Sequence, residues 1–369
     1  MVCLLHIGAA SKPRAKGYER TRGKDKKRAK VRRKALVALG LSLVFALGAL
    51  LTSCSSTEDE GASSNIPNTP AQSIKEASGK GPPSNVAQAA AASIDEPSIR
   101  ENLSHLTGAS PAPLASGPTT IAERGSEDGR RAAAQYMKES FEEAGVPARI
   151  LEFTYGSRRG FNVEGTLEGT EGEKHLWITA HLDSFYNAGA NDDASGLVSI
   201  LSSAKALKQL DPKHTIHLVA YDLEEVGLVG STLYVGSTVG DIRERQGDRA
   251  IIGNMHSDMV GYDERGEFEA VMGTCGQAGS IDEALLRAPE LIDSPIQLRE
   301  DCLGRSDHEH FWEAGLPAVI LTDGTKYDGY PWYHEPGDTL DKVNIPYLRS
   351  TIQLSAAAAA LLAAPESGS

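Results

Sequence analysis

The sequence predicts an α/β protein, a single globular domain built on a central, mostly parallel mixed sheet with helices on both faces. Three observations carry that prediction. Short, largely apolar runs at 176–180, 215–221 and 317–321 suit strands buried on both faces. Segments with helical spacing lie between the runs, so strands alternate with helices along the chain. Acidic and histidine side chains gather just after the apolar runs, where open α/β sheets place their sites. No internal repeat and no second domain boundary interrupts the pattern.

The first 53 residues stand apart by charge. They hold 13 of the 37 Lys and Arg but only Glu19 and Asp25 of the 50 acidic residues, ahead of an uncharged apolar run at 35–51. A basic segment before an apolar run has the form of an export signal. Leu51-Thr-Ser-Cys54 at its end resembles a bacterial lipobox, which makes Cys54 the expected lipidated first residue of the mature protein. The other reading is a retained anchor, since 17 residues fall at the low edge of spanning length. Either way the expectation is an exported protein, lipid-anchored to a bacterial membrane with its catalytic domain outside the cytoplasm.

Beyond that leader, 24 basic residues face 48 acidic ones, a net charge of −24. Phosphate binding needs the opposite sign, so nucleic acid is not an expected partner. Amine-bearing ligands are attracted instead. Of the four cysteines, Cys3 falls in the leader, and Cys275 and Cys302 remain beside Cys54. Outside the cytoplasm such a pair is expected to form a disulfide.

Residues 54–92 are rich in Ser, Gly, Pro, Asn and Ala and are expected to be a flexible tether, leaving 93–369 as the domain proper. Helical spacing follows at 94–106 and 128–144, with Gly108 and Gly145 as stop signals. Strands are expected at 148–154 and 161–167, joined by a turn through 156–160, and then at 176–180. A helix runs from 197 to Asp211-Pro212, before the strand at 215–221. A helix at 230–238, a charged segment at 241–246 and a strand at 249–255 come next. Helices at 281–286 and 306–314, the strand at 317–321 and a last helix at 346–363 complete the chain. The alanine run at 356–360 is too short to cross a bilayer and reads as a packed helix end.

Three groups of side chains carry chemistry. His181 and Asp183 end a strand; a metal-bound imidazole needs an acceptor on its second nitrogen, a task that suits Asp183. Asp192 and Asp193 precede a helix, where adjacent acids are most often caps, and only one of them can point to the strand ends. Glu224-Glu225 follow a strand, where adjacent side chains diverge, so one can hold a metal while the other holds water. Each group alone has a bland explanation as a surface pair, a cap or a solvated turn. No Gly-x-Ser-x-Gly elbow occurs, which weighs against a serine hydrolase.

Together, His181-Leu-Asp183, Gly189-Ala-Asn-Asp192-Asp193-Ala-Ser-Gly196 and Tyr221-Asp-Leu-Glu224-Glu225-Val-Gly-Leu-Val-Gly-Ser231 resemble the co-catalytic, dizinc metallo-aminopeptidases. That family also contains glutamate carboxypeptidase II and the glutaminyl cyclases. The resemblance demands a metal-binding Asp after a later strand and a metal-binding His in a late loop. Asp258, in Asn254-Met-His-Ser-Asp258, and His334, in Tyr333-His334-Glu-Pro-Gly-Asp338, meet that demand. Ser306-Asp307-His308, Glu123-Arg-Gly-Ser126 and Asn162-Val-Glu-Gly165 match as well, so the resemblance extends from residue 94 to the C-terminus.

The resemblance implies the zinc-exopeptidase, phosphorylase/hydrolase-like fold and two Zn2+ ions. His181 and Asp258 would hold one ion, Glu225 and His334 the other, with Asp192 bridging them. Glu224 would be the general base and Asp183 would orient His181, with a hydroxide between the ions as nucleophile. Such oxygen and nitrogen ligands also accept cobalt or manganese. Asn191 stands where many members carry Asp and is not an implied ligand. The motif places His308 near the site, whereas His175, His214, His217, His256 and His310 are expected to be packed or solvated. Trp332 and Tyr333 are expected to line the substrate pocket.

The implied activity is an aminopeptidase acting on peptides with a free N-terminus. Its rivals are a carboxypeptidase or glutaminyl cyclase of the same family, and a non-catalytic metal- or peptide-binding surface lipoprotein. A cyclase should have lost part of the second metal's shell, and a binding protein should have lost Glu224 or Asp192. This sequence retains all of them.

Overall fold

The structure, a computed structural model, describes residues 83–363. The expected leader, Cys54 and most of the expected tether lie outside the described residues. The last part of that tether is corrected here, because Pro83–Ala92 forms a helix, α1. Alanine is the strongest helix former, and Val86, Ala87 and Ala90 are buried. Their cover is the C-terminal helix α10 (Ile345–Ala363), whose Gln353 donates to the Ala91 carbonyl at 3.0 Å.

Eight strands form one mixed sheet in the order β1-β2-β4-β3-β5-β8-β6-β7. They are β1 (Ala148–Tyr155), β2 (Arg158–Leu167), β3 (His175–His181), β4 (Thr215–Tyr221), β5 (Ile251–Ser257), β6 (Glu269–Gly273), β7 (Gln297–Asp301) and β8 (Ala318–Asp323). The central four, β4, β3, β5 and β8, run parallel, and the antiparallel β1–β2 hairpin closes one edge. The hairpin turn is tighter than expected: Tyr155 pairs with Arg158, and Gly156 takes φ 61°. Two-residue hairpin loops favour that left-handed geometry. At the other edge β6 runs antiparallel to β8 and parallel to β7.

Strand alternation divides the core between the two faces. Leu176, Ile178 and Ala180 of β3 point to one side, where they join α2 (Glu96–Leu106), α3 (Glu127–Glu143), α4 (Ala194–Lys208), α7 (Ile281–Ile292) and α10. Trp177 of β3, with Val219 and Tyr221 of β4, packs on the other side against α5 (Val229–Tyr234), α6 (Gly240–Gln246) and α8 (Glu309–Glu313). A π-helical stretch, Val235–Val239, joins α5 to α6, so the charged segment at 241–246 is helix. The expected helix at 306–314 is reduced to α8, because Ser306, Asp307 and His308 are drawn into the buried interior ahead of it. No helix among the described residues is long and apolar enough to cross a membrane.

Candidate active site

Parallel strands deliver their carboxyl ends to one edge, and the chemistry-bearing side chains lie along it. His181 is the last residue of β3, Glu224-Glu225 follow β4, and Asp258 follows β5. Asp192 sits just before α4, and His334 lies in the loop after α9 (Lys326–Gly329). Leu223, Met259 and His334 take φ values of 61°, 57° and 60°. Such left-handed conformations are uncommon without glycine and gather at functional sites. Here they turn the chain immediately beside three of the candidate side chains.

The side chains converge in two groups that share one carboxylate. His181, Asp192 and Asp258 form one group, and Asp192, Glu225 and His334 the other, with donor atoms within 4.8 Å of one another in each. Asp192 reaches both through different oxygens: Oδ1 lies 2.9 Å from His181 Nε2 and Oδ2 lies 3.5 Å from His334 Nε2. Glu225 Oε2 is 2.9 Å from His334 Nε2, and Asp258 Oδ1 is 3.7 Å from His181 Nε2. Glu224 forms a third such group with His181 and Glu225, placing its carboxylate beside both sets. The His334 ring is held between Phe185, parallel at 4.4 Å, and Tyr333 at 3.9 Å.

Neighbouring acids have separate tasks. Asp193 caps α4, accepting the Gly196 N–H at 2.8 Å, and also takes the His181 and Met259 N–H groups, so it joins the ends of β3 and β5. A Cβ at Gly196 would stand 2.4 Å from the Asp193 carboxylate and from the Ser257 carbonyl, which is why this position has no side chain. Asp183 accepts the backbone N–H groups of Glu224 and Glu225. Its Oδ1 is 3.7 Å from His181 Nδ1, outside hydrogen-bond range. Asn191 donates to Asp323 and accepts from the Gly261 N–H, which fixes the loop leading to Asp192.

Two further residues, singled out by no expectation, hold this loop. Arg124 is fully buried and donates to the carbonyls of Leu182, Leu106, Ala188 and Gly189. Asp338 accepts the N–H groups of Asn191 and Asp192 and the Tyr330 hydroxyl. Both lie inside runs quoted above, Glu123-Arg-Gly-Ser126 and Gly-Asp338, so the motif was the available signal. Of the remaining histidines, His308 and His256 are buried near one another, and His175 pairs with His217 on the far side of β3 and β4. Trp332 carries Lys342 over its ring at 4.8 Å. Cys275 and Cys302 are joined as a disulfide.

The electrostatics are those of crowded carboxylates. Burial, then the charges of Asp307, Asp258 and Glu225, push the Glu224 carboxyl well above the ordinary range. Burial and the Asp192 charge take Glu225 up to about 7. Burial also lifts Asp307 and Asp323 to about 7 and Asp338 to about 6. Glu225 Oε1 and Asp258 Oδ1 are buried with no hydrogen-bond partner. Unpartnered carboxylate oxygens beside imidazole nitrogens, in a donor set of oxygen and nitrogen only, fit divalent zinc. Two such ions would offset the repulsion that burial concentrates here.

Comparison with known proteins identifies the lineage. The sequence model of "Peptidase family M28" matches residues 162–359, a span that holds every candidate side chain. The chain belongs to peptidase family M28. Among M28-like relatives, aminopeptidase YwaD of Bacillus subtilis is 32% identical over 188 residues, 50% of this chain. The chain spans only 40% of that relative's length. The structure of BSAP, a zinc aminopeptidase from B. subtilis, superposes with TM-score 0.63 at 18% identity, covering 75% of this chain and 97% of that one. A glutaminyl cyclase from Fimbriiglobus ruber superposes with TM-score 0.59 at 18% identity, covering 73% and 95%. At such identities the superpositions establish the shared fold.

Proposed function

We propose that the protein is a two-zinc aminopeptidase that removes the N-terminal residue of peptides. The observation that carries this reading is the shared carboxylate: Asp192 faces His181 with one oxygen and His334 with the other. In this reading His181, Asp192 and Asp258 would hold one zinc, and Asp192, Glu225 and His334 would hold the second. Zinc at such a site lowers the pKa of water and polarises a carbonyl.

The chain's own part in hydrolysis falls to Glu224. Its carboxylate takes a proton from the water that attacks the scissile carbonyl and returns that proton to the departing amine nitrogen as the C–N bond breaks. Asp183 holds the Glu224–Glu225 turn against the end of β3. The acidic character of the domain favours a substrate that brings a positive charge, which supports a free α-amine. A cyclase reading has less support, because both donor groups are complete.

We further propose that the protein is exported and lipid-anchored through Cys54. The order of basic leader, apolar run and Leu51-Thr-Ser-Cys54 supports this, as does the Cys275–Cys302 disulfide, which suits an oxidising compartment. Mass spectrometry of the mature N-terminus tests it: a diacylated Cys54 is expected, and an unmodified Met1 contradicts it.

Replacing Glu224 with Gln tests the enzymatic reading. The variant should keep its zinc and lose cleavage of aminoacyl amides; unchanged cleavage would refute the role.

A further inference from the structure

Five large apolar side chains stay exposed among the described residues, and two of them, Phe185 and Tyr186, are neighbours, 46% and 62% exposed. They form the tip of the loop after β3, where the Phe185 ring lies parallel to the His334 imidazole at 4.4 Å. A single exposed apolar residue needs no explanation, but adjacent aromatic rings at the rim of a candidate site do.

The tip is fastened on both sides. Ser184 Oγ accepts the Arg124 N–H at 3.0 Å and donates to the Asn187 carbonyl at 2.9 Å, while the Tyr186 N–H donates to the Ser184 carbonyl at 2.8 Å. Tyr186 takes φ 54°, and a Cβ at Gly125 would stand 2.7 Å from its ring and its backbone nitrogen. Asn187 Nδ2 donates to the Glu335 carbonyl at 2.9 Å, which ties this loop to the one carrying His334. The exposed rings are therefore held in place before anything binds, so contact with them costs little ordering entropy.

Exposure also shows which way the site opens. The His334 side chain is 31% exposed, against 6% for Asp192 and Glu225, 4% for Asp258 and 1% for His181. Substrate enters past His334, and so past the Phe185 ring that covers it. An aminopeptidase takes only one residue on the amine side of the scissile bond; the rest of the peptide lies on the leaving side and runs out to solvent. A half-exposed ring at the entrance meets that outgoing part, beginning with the side chain that follows the scissile bond.

We propose that Phe185, with Tyr186 beside it, forms the subsite for the residue after the scissile bond and selects a large apolar or aromatic side chain there. One side of the Phe185 ring is taken by His334, and its exposed remainder gives the incoming side chain a fixed aromatic surface. This selectivity rests on the aminopeptidase reading and deepens it.

The test uses zinc-loaded protein and pairs of dipeptide amides that share a first residue (alanine, leucine or lysine) and carry phenylalanine or glycine second. In the wild type, kcat/KM should be at least about tenfold higher for the phenylalanine member of a pair, the scale on which one apolar side chain is discriminated. In Phe185→Ala that ratio should fall to within about threefold of one, with Phe185→Leu between the two. A ring that merely shields His334 would slow both members alike and leave the ratio unchanged. An unchanged ratio in the variants, or a wild-type ratio near one, overturns the subsite and leaves the peptidase reading intact. Absence of any cleavage by folded, zinc-loaded wild type removes both. A crystal structure of the wild type with a phosphinic analogue of a phenylalanine-bearing pair reads the contact even if the variants do not fold. Ring centroids within about 7 Å of each other support the subsite, and a second side chain turned away from Phe185 refutes it.

Discussion

Asp183 accepts the backbone N–H groups of Glu224 and Glu225 at 2.9 and 3.2 Å, so the end of β3 is fastened to the turn after β4. One carboxylate thereby sets the spacing between His181 and the two glutamates. Asp183 is expected from the sequence to orient His181, but its Oδ1 stands 3.7 Å from His181 Nδ1, and its hydrogen bonds go to the two glutamates instead. Exchanging Asp183 for Asn replaces one accepting oxygen by a donor that faces an N–H. The account predicts a 10- to 100-fold loss of zinc affinity, roughly the usual cost of disturbing an outer-shell partner. Calorimetric titration of the zinc-free protein measures it.

Arg124 contributes through geometry as well as charge. Its guanidinium serves four carbonyls and interacts electrostatically with Asp193, Asp338, Asp192 and Asp183. Removing it as Arg124→Met should destabilise the zinc-free protein by about 3–5 kcal/mol, since buried charges lose their partner. Arg124→Lys should recover only a fraction, because an ammonium cannot fork to several carbonyls. Urea unfolding of the three proteins provides the comparison.

Far from the site, Glu164 predicts an acid limit to stability. Burial alone would raise its pKa, but hydrogen bonds from His217, Tyr234 and Arg149 and the His217 charge outweigh burial and hold it at about 2, below the ordinary 4.5. A lowered folded-state value stabilises the native state above the unfolded pKa and loses that effect as pH falls. The contribution is full above about pH 4.5 and disappears as pH drops towards 2. Its size is on the order of 3 kcal/mol. Glu164→Gln should therefore lower stability at pH 7 and flatten its dependence on pH between 4.5 and 2, as followed by thermal melts.

The Cys275–Cys302 bond closes a separation of 27 residues that contains α7 and β7. Replacing both cysteines by alanine should cost about 2–4 kcal/mol through the freed unfolded chain. Denaturant midpoints of the oxidised protein and the double variant decide the matter.

The legible parts of the chain were those where local pattern and tertiary burial agree. The apolar runs of β3, β4 and β8 announced themselves because these strands are buried along their whole length and most of their side chains are apolar. β7 did not, since Gln297-Leu-Arg-Glu-Asp301 is a largely exposed edge strand without an apolar run. β6 is only five residues long and depends on β8 and β7 for its pairing. The helix Pro83–Ala92 hid in a composition that resembles a linker, because its small alanine side chains gain their burial from α10, over 250 residues away. At the site, motif order pointed to His181, Asp192, Glu224, Glu225, Asp258 and His334. It could not show that Asp193 braces two strands or that the Phe185 ring lies on His334, since both facts arise from packing between distant segments.

The most direct test is hydrolysis of a panel of aminoacyl amides and their N-blocked counterparts by the purified protein, with zinc measured on the same sample. The account predicts cleavage of the free-amine substrates only, with about two zinc ions per chain, as co-catalysis requires. Zinc-loaded, folded protein that cleaves blocked and free substrates alike, or neither, would contradict it.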